Sequence, residues 1–124
     1  MATVLIIEDN PDNMILICDI LELNGCETMQ ATTGLSGYAM AQERRPDYII
    51  LDIQLPDISG YEVLEKIRSS DRTQDIPVIA MTSYAMAGDK NRLLHAGCDG
   101  YIEKPIDPAL VMGQIQQALD GRNQ

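Results

Sequence analysis

The chain contains no phenylalanine and no tryptophan, so its core must be aliphatic, with seven methionines and five tyrosines contributing. It is also short of positive charge: 9 Lys and Arg stand against 19 Asp and Glu, a formal net charge of −10. Phosphate backbones and acidic membrane surfaces need clustered Lys and Arg, so this balance argues against nucleic acid and membrane as partners. It favours partners that tolerate or prefer negative charge. Cysteine is sparse, and Cys18, Cys26 and Cys98 form an odd set without metal-like spacing. Reduced, buried thiols in a cytoplasmic setting are the reading. Long apolar runs are missing, so nothing spans a membrane, and Met1-Ala2-Thr3 leads directly into a strand rather than a signal peptide. No repeat, low-complexity tract or linker divides the chain. One domain over residues 1–124 is expected.

Short apolar runs ending in polar residues are what the chain does have. Tyr48-Ile49-Ile50-Leu51 runs into Asp52, and Val4-Leu5-Ile6-Ile7 into Glu8-Asp9. Val78-Ile79-Ala80-Met81 ends in Thr82, and Tyr101-Ile102 leads through Glu103 to Lys104. Such runs suit strands buried on both faces of a parallel sheet. Cys26 to Ala31 alternates polar and apolar residues, as an edge strand exposed on one face would.

Helices alternate with these strands. Asn10-Pro11 opens one carrying Met14, Ile17, Cys18 and Leu21, closed by Asn24-Gly25. Thr33 opens a second with Leu35, Tyr38 and Ala41, ended by Arg45-Pro46. Gly60 begins a third with Val63, Leu64 and Ile67 inward. Residues 86–96 make a weak fourth, with Gly88 inside and few apolar anchors. Asp107-Pro108 caps a fifth with Val111, Ile115 and Leu119 facing inward. Five strand–helix repeats imply an α/β fold, a doubly wound five-stranded parallel sheet. A polar second strand at an edge fits the flavodoxin-like order 2-1-3-4-5.

That order brings Glu8, Asp9 and Asp52 together at the carboxyl ends of strands one and three, where open α/β sheets bind ligands. Carboxylates crowded there repel one another, and a hard divalent cation with oxygen ligands relieves this. Mg²⁺ suits such an open site, and Mn²⁺ is a plausible substitute. Lys104 adds a point positive charge and Thr82 a hydroxyl. An aspartate beside these groups is arranged to accept a phosphoryl group. Each residue alone has a plainer reading: Glu8-Asp9 a solvated helix start, Asp52 a turn residue, Thr82 a strand-end hydroxyl, Lys104 a surface lysine. Their joint placement at strand carboxyl ends favours the site.

These residues resemble those of the response-regulator receiver domains of two-component signalling, and the likeness runs from Val4 to Leu119. Glu8-Asp9 matches the family's acidic pair and Asp52 its phospho-acceptor, with Pro56 and Gly60 at the usual offsets. Thr82 matches the switch hydroxyl, Lys104-Pro105 the lysine with its cis-proline, and Tyr101 the aromatic that reorients on activation. The resemblance implies a CheY-like (βα)5 three-layer sandwich in which Gln54 lends Mg²⁺ a backbone carbonyl. Gln54 and Tyr84 would tune the acyl-phosphate lifetime. Ser83 departs mildly from the alanine common at its position.

Within the family, stretches such as Asp52-Ile53-Gln54-Leu55-Pro56 and Ile58-Ser59-Gly60 resemble the stand-alone DivK type, which binds sensor kinases in cell-cycle and polarity control. The resemblance implies phosphoryl transfer from a sensor histidine kinase or a phosphotransfer protein. It implies output by protein binding at the face of helix 4, strand 5 and helix 5, from a cytoplasmic monomer without an output domain. Such a protein is no enzyme beyond its own phosphotransfer and dephosphorylation.

Rival readings are a hybrid-kinase receiver module, a phosphorylation-independent binding platform, a flavodoxin-like electron carrier and a haloacid-dehalogenase-class phosphatase. The acidic loop Glu8 to Asp12 would repel a flavin phosphate, and Gln54 stands where the phosphatase motif wants an acid. His95, the lone histidine, follows Leu93-Leu94 away from the strand ends and reads as structural. The methionines at helical spacing read as core filler.

Overall fold

The structure is a computed structural model that describes residues 2–83 and 87–121. Strands β1 (Thr3–Ile7), β2 (Glu27–Ala31), β3 (Tyr48–Asp52), β4 (Val78–Thr82) and β5 (Gly100–Glu103) alternate with five helices. These are α1 (Pro11–Leu23), α2 (Gly34–Arg44), α3 (Gly60–Ser69), α4 (Ala87–His95) and α5 (Val111–Gly121). All strand pairs are parallel, in the order β2-β1-β3-β4-β5. Every residue of β3 and β4 is buried, whereas β2 at the edge is exposed or half-buried over most of its length. The order expected from the polar second strand is the order observed.

Alternation along the strands sends side chains to two separate cores. Val4, Ile6, Tyr48, Ile50, Ile79, Met81 and Ile102 pack with Met14, Ile17 and Leu21 of α1 and Val111 and Ile115 of α5. Leu5, Ile7, Ile49, Leu51, Val78 and Ala80 pack with Ala41 of α2, Val63, Leu64 and Ile67 of α3, and Leu93 of α4. Each fully buried Ile or Leu side chain contributes about 1.5–3 kcal/mol. The pattern continues to the carboxyl ends of the strands. Glu8 and Asp52 extend the series that faces α1 and α5, and Thr82 extends the one that faces α2, α3 and α4.

Side chains fix the helix starts. Asn10 accepts from Asn13 N at 3.0 Å, Thr33 from Ser36 N at 3.1 Å and Ser59 from Glu62 N at 3.2 Å. Gly25 takes a φ of 85° just after α1.

Three local expectations are corrected. Leu35 does not serve the core and is 52% exposed. Helix α2 instead packs through Gly34, Gly37 and Ala41, and a Cβ at Gly37 would lie 2.5 Å from Ile7 Cδ1. So close an approach leaves no room for a large inward residue. Helix α5 starts at Val111 rather than at Asp107. Asp107 caps a preceding turn, its Oδ1 accepting from Ala109 N at 2.9 Å and its carbonyl from Leu110 N and Val111 N. Leu119 is only partly buried against the core. Cys18 and Cys98 are buried free thiols, while Cys26 is half-buried. His95 is exposed on α4.

Candidate functional site

The site lies where β1, β3 and β5 end. Glu8 follows β1 directly and is held by a hydrogen bond from its backbone N–H to Ala31 O at 2.9 Å. It is completely buried, and Asp52 at the end of β3 is 3% exposed. Asp9 beside them is exposed. Lys104 follows β5, and its N–H donates to Thr82 O at 2.9 Å. The Lys104-Pro105 peptide is cis. Lys104 Nζ lies 2.9 Å from Glu8 Oε1 and 3.1 Å from Asp52 Oδ2. Gln54 N–H donates to Asp52 Oδ1 at 3.0 Å, so the backbone of the β3–α3 connection curls over the aspartate.

One lysine facing two buried carboxylates leaves an imbalance. Burial pushes the Asp52 carboxyl up to about 7, with the neighbouring Glu8 adding to the rise and the Gln54 N–H and Lys104 opposing it. Burial acts in the same direction on Glu8, but hydrogen bonds from Asp52 and Lys104 outweigh it, and its carboxyl falls below the ordinary range. The two acids thus titrate as a coupled pair, with Asp52 raised and Glu8 lowered. Glu8 Oε1 is fully buried and meets the Lys104 ammonium at 2.9 Å.

The donor set fits a hard cation. Glu8, Asp9 and Asp52 each offer a carboxylate oxygen, and these atoms lie within 4.8 Å of one another. Three acids facing one lysine leave the cluster short of positive charge. A divalent ion held by these oxygens would supply that charge.

The other residues singled out in the sequence lie around this cluster. Asp52 pairs with Met81 across β3 and β4, which places buried Thr82 one residue further toward the open edge. Thr82 pairs with Glu103 of β5. Tyr101 is half-buried on the same core face as Thr82. Tyr84 lies outside the described residues.

Two residues were not visible as site residues in the sequence. Lys90 of α4 lies 3.2 Å from Glu103 Oε1 and 5.0 Å from the Tyr101 ring centroid. Asp57 sits in the β3–α3 connection and reaches back to α2. Lys90 is one charge among many on a polar helix, and Asp57 is an acid beside a proline in a loop of the kind that forms turns. Neither had a sequence signal for its contact.

Comparison with known proteins agrees with this geometry. The family model for the response regulator receiver domain matches residues 4–116. The polar-differentiation response regulator DivK of Brucella anthropi is 47% identical over 117 residues, covering 94% of this chain and 95% of that one. Among solved structures, the chemotaxis response regulator CheY4 of Vibrio cholerae superposes with a TM-score of 0.90 at 26% identity, covering 95% of this chain and 98% of that one. The receiver domain of the sensor histidine kinase PA1611 of Pseudomonas aeruginosa superposes with a TM-score of 0.86 at 30% identity, over 96% of this chain and 98% of that one. That crystal structure has a magnesium ion coordinated in the active-site cleft. A family match over nearly the whole length, on a fold and an acidic cleft of the same kind, makes this chain a member of the response regulator receiver domain family.

Proposed function

We propose that the protein is a stand-alone receiver that accepts a phosphoryl group on Asp52 from a phosphohistidine of a sensor kinase or phosphotransfer protein. One observation carries the reading: a buried aspartate at the end of β3, clustered with Glu8 and Asp9 and contacted by Lys104, which also reaches Glu8. Similarity to DivK over 95% of its length favours the stand-alone type over a hybrid-kinase module.

In the transfer, an Asp52 carboxylate oxygen forms a bond to phosphorus as the phosphorus–nitrogen bond of the donor imidazole breaks. The electron pair of that bond leaves with the imidazole. Mg²⁺, held by Glu8, Asp9, Asp52 and the Gln54 carbonyl, would neutralise negative charge on the transferring group, and Mn²⁺ would substitute. Lys104 Nζ, 3.1 Å from Asp52 Oδ2, is within reach of a phosphoryl oxygen bound there. Thr82 supplies a hydroxyl to another. The exposed Gln54 side chain and Tyr84 govern how long the acyl phosphate survives. The chain acts on no separate substrate.

Output passes through Thr82 to Tyr101. Both lie on one face of the sheet, so movement of Thr82 toward the phosphoryl group would open space for the tyrosine. Beyond Tyr101 lies a groove of about 350 Å³ between α4, β5 and α5, lined by Leu94, Tyr101, Gln114 and Ala118 among others. Leu93 is the buried anchor of α4 among the described residues, so that helix can shift at small cost. We place the protein partner there. The protein is taken as a cytoplasmic monomer of one domain; no helix among the described residues is long and apolar enough to cross a membrane.

The test is incubation with acetyl phosphate and Mg²⁺ followed by intact mass. Wild type should gain one phosphoryl group, lost again in alkali, and Asp52→Asn should gain none. Equal gain by the variant would overturn the assignment.

A further inference from the structure

The connection between β3 and α3 carries Gln54, yet the side chain that fastens it to the rest of the molecule comes three residues later. Asp57 Oδ1 accepts from Gly34 N at 2.8 Å, and Oδ2 accepts from Leu35 N at 2.9 Å. Both amides belong to the first turn of α2, where backbone N–H groups lack partners within their own helix. One carboxylate therefore receives two adjacent donors at the positive end of the helix dipole.

Packing reinforces the attachment. A Cβ at Gly34 would lie 2.7 Å from Ile58 Cγ1 and 2.7 Å from Val63 Cγ2. Ile58 thus occupies the space that glycine leaves on α2. On the other side of the loop, a Cβ at Gly60 would lie 2.8 Å from Asp52 O and 2.5 Å from Ile53 Cα. Gly60 N also donates to Ile53 O at 2.8 Å, closing the loop on itself. The segment is a closed ring with Asp52 and Gln54 at one end and Asp57 anchored to α2 at the other.

We infer that Asp57 is a positioning residue, which fixes the β3–α3 loop against α2 and thereby holds the Gln54 backbone over Asp52. The Asp57–α2 contact stands on geometry alone; its consequence for the cation rests on the reading of the site given above. Gln54 N–H already restrains Asp52 Oδ1 at 3.0 Å, and the Gln54 carbonyl belongs to the same stretch of backbone. A loop released from α2 would blur both positions. Ligands held loosely bind a cation of strict geometry less well.

Asp57 is exposed, so its replacement should leave the fold intact. The experiment compares wild type, Asp57→Asn, Asp57→Ala and Gly34→Ala in two measurements. The first is amide hydrogen exchange without metal, at Gln54 in the loop and at Ile50 in the sheet. The second is Mg²⁺ titration followed by amide chemical shifts. Asp57→Ala should speed Gln54 exchange about tenfold with Ile50 unchanged, and should weaken Mg²⁺ binding about three- to tenfold. Asn can accept at one atom only, so Asp57→Asn should fall between. Gly34→Ala should speed Gln54 exchange too, because its Cβ displaces Ile58. Unchanged Gln54 exchange in Asp57→Ala would overturn the proposal. Equal acceleration at Ile50 would also overturn it, showing a general loss of stability instead. Failure of wild type to bind Mg²⁺ would refute the reading of the metal site, while the exchange data would still decide the role of Asp57.

Discussion

The two edges of the sheet both carry an aspartate beside a basic side chain, and they are built on opposite terms. At the amino-terminal edge, the Arg68 guanidinium at the end of α3 donates to Gly97 O at 2.8 and 3.1 Å, to Gln74 O at 3.0 Å and to Ile76 O at 2.6 Å. It also meets Asp99 Oδ2 at 3.1 Å, and that same oxygen accepts from Val78 N at 2.8 Å. The cation there is surrounded by acceptors, and the edge is electrostatically finished. At the carboxyl-terminal edge, Lys104 is the one basic side chain paired with Glu8 and Asp52 among the described residues, and Asp9 adds a third acid beside them. A satisfied cluster ties α3 to the starts of β4 and β5. The other is short of positive charge, which a bound cation would supply. The lesson is that charge count does not mark a functional site; incomplete compensation does.

The largest effect expected from that difference is kinetic. Lys104→Ala should slow phosphorylation by acetyl phosphate about a hundredfold or more, because it removes a positive charge aimed at the transferring oxygens. Arg68→Ala should leave the rate within about twofold, since its contacts with Gln74, Ile76, Gly97 and Asp99 lie at the opposite edge of the sheet from Asp52. A comparable loss in both variants, read by the time course of intact mass, would erase the distinction between the edges.

Stability should respond in the opposite sense. Arg68→Ala strips partners from several carbonyls and from a partly buried Asp99, and should cost about 2–4 kcal/mol in urea unfolding. Asp52→Asn removes a buried acid and should instead stabilise the metal-free protein by about 1–3 kcal/mol.

Acidity sharpens the comparison further. The folded-state value of Asp52 is raised to about 7, against an ordinary value near 4. Between those limits the folded chain keeps a proton that the unfolded chain has lost. Stability from Asp52 is therefore full below about pH 4 and is lost as pH rises through about 7. Glu8, lowered in the fold, works the other way: its contribution is present above its ordinary value and is lost on acidification. Thermal melts without metal should show Tm falling from pH 5 to pH 8. Saturating Mg²⁺ should flatten the decline, and so should Asp52→Asn. A metal-free wild type with a flat profile would count against the buried, protonated acid.

Lys90→Ala should produce the smallest change. Lys90 is a surface group whose contacts with Glu103 and the Tyr101 ring are solvent-screened. Affinity of the unphosphorylated protein for a partner at the α4–β5–α5 groove should shift by about threefold or less. A larger shift would mean that Lys90 holds Tyr101 more firmly than this contact suggests.

Much of this was legible in the sequence, for reasons that residues make plain. Tyr48 to Leu51 and Val78 to Met81 lack polar breaks because both their faces are buried, so their apolar runs are strands of the sheet interior. Glu8, Asp52, Thr82 and Lys104 were recognisable because each stands directly at a strand end, and parallel strands align their ends. What escaped was contact between a side chain and a backbone group far apart in sequence. Asp57 finds its donors 22 and 23 residues earlier, and Arg68 finds Gly97 O 29 residues later. Neither partner is a side chain with a pattern of its own. The exposure of Leu35 escaped for the same reason, because it follows from how closely Gly37 lets α2 approach Ile7.

The central claim is that the incomplete edge becomes complete by taking a metal and a phosphoryl group at Asp52. Borohydride trapping measures this directly, since it reduces an aspartyl phosphate to homoserine that peptide mass spectrometry can locate. After acetyl phosphate treatment with Mg²⁺, homoserine should appear at position 52 alone, and chelation of the metal should abolish it. Homoserine at Asp9 or elsewhere, or undiminished trapping at Asp52 without a divalent ion, would contradict the account.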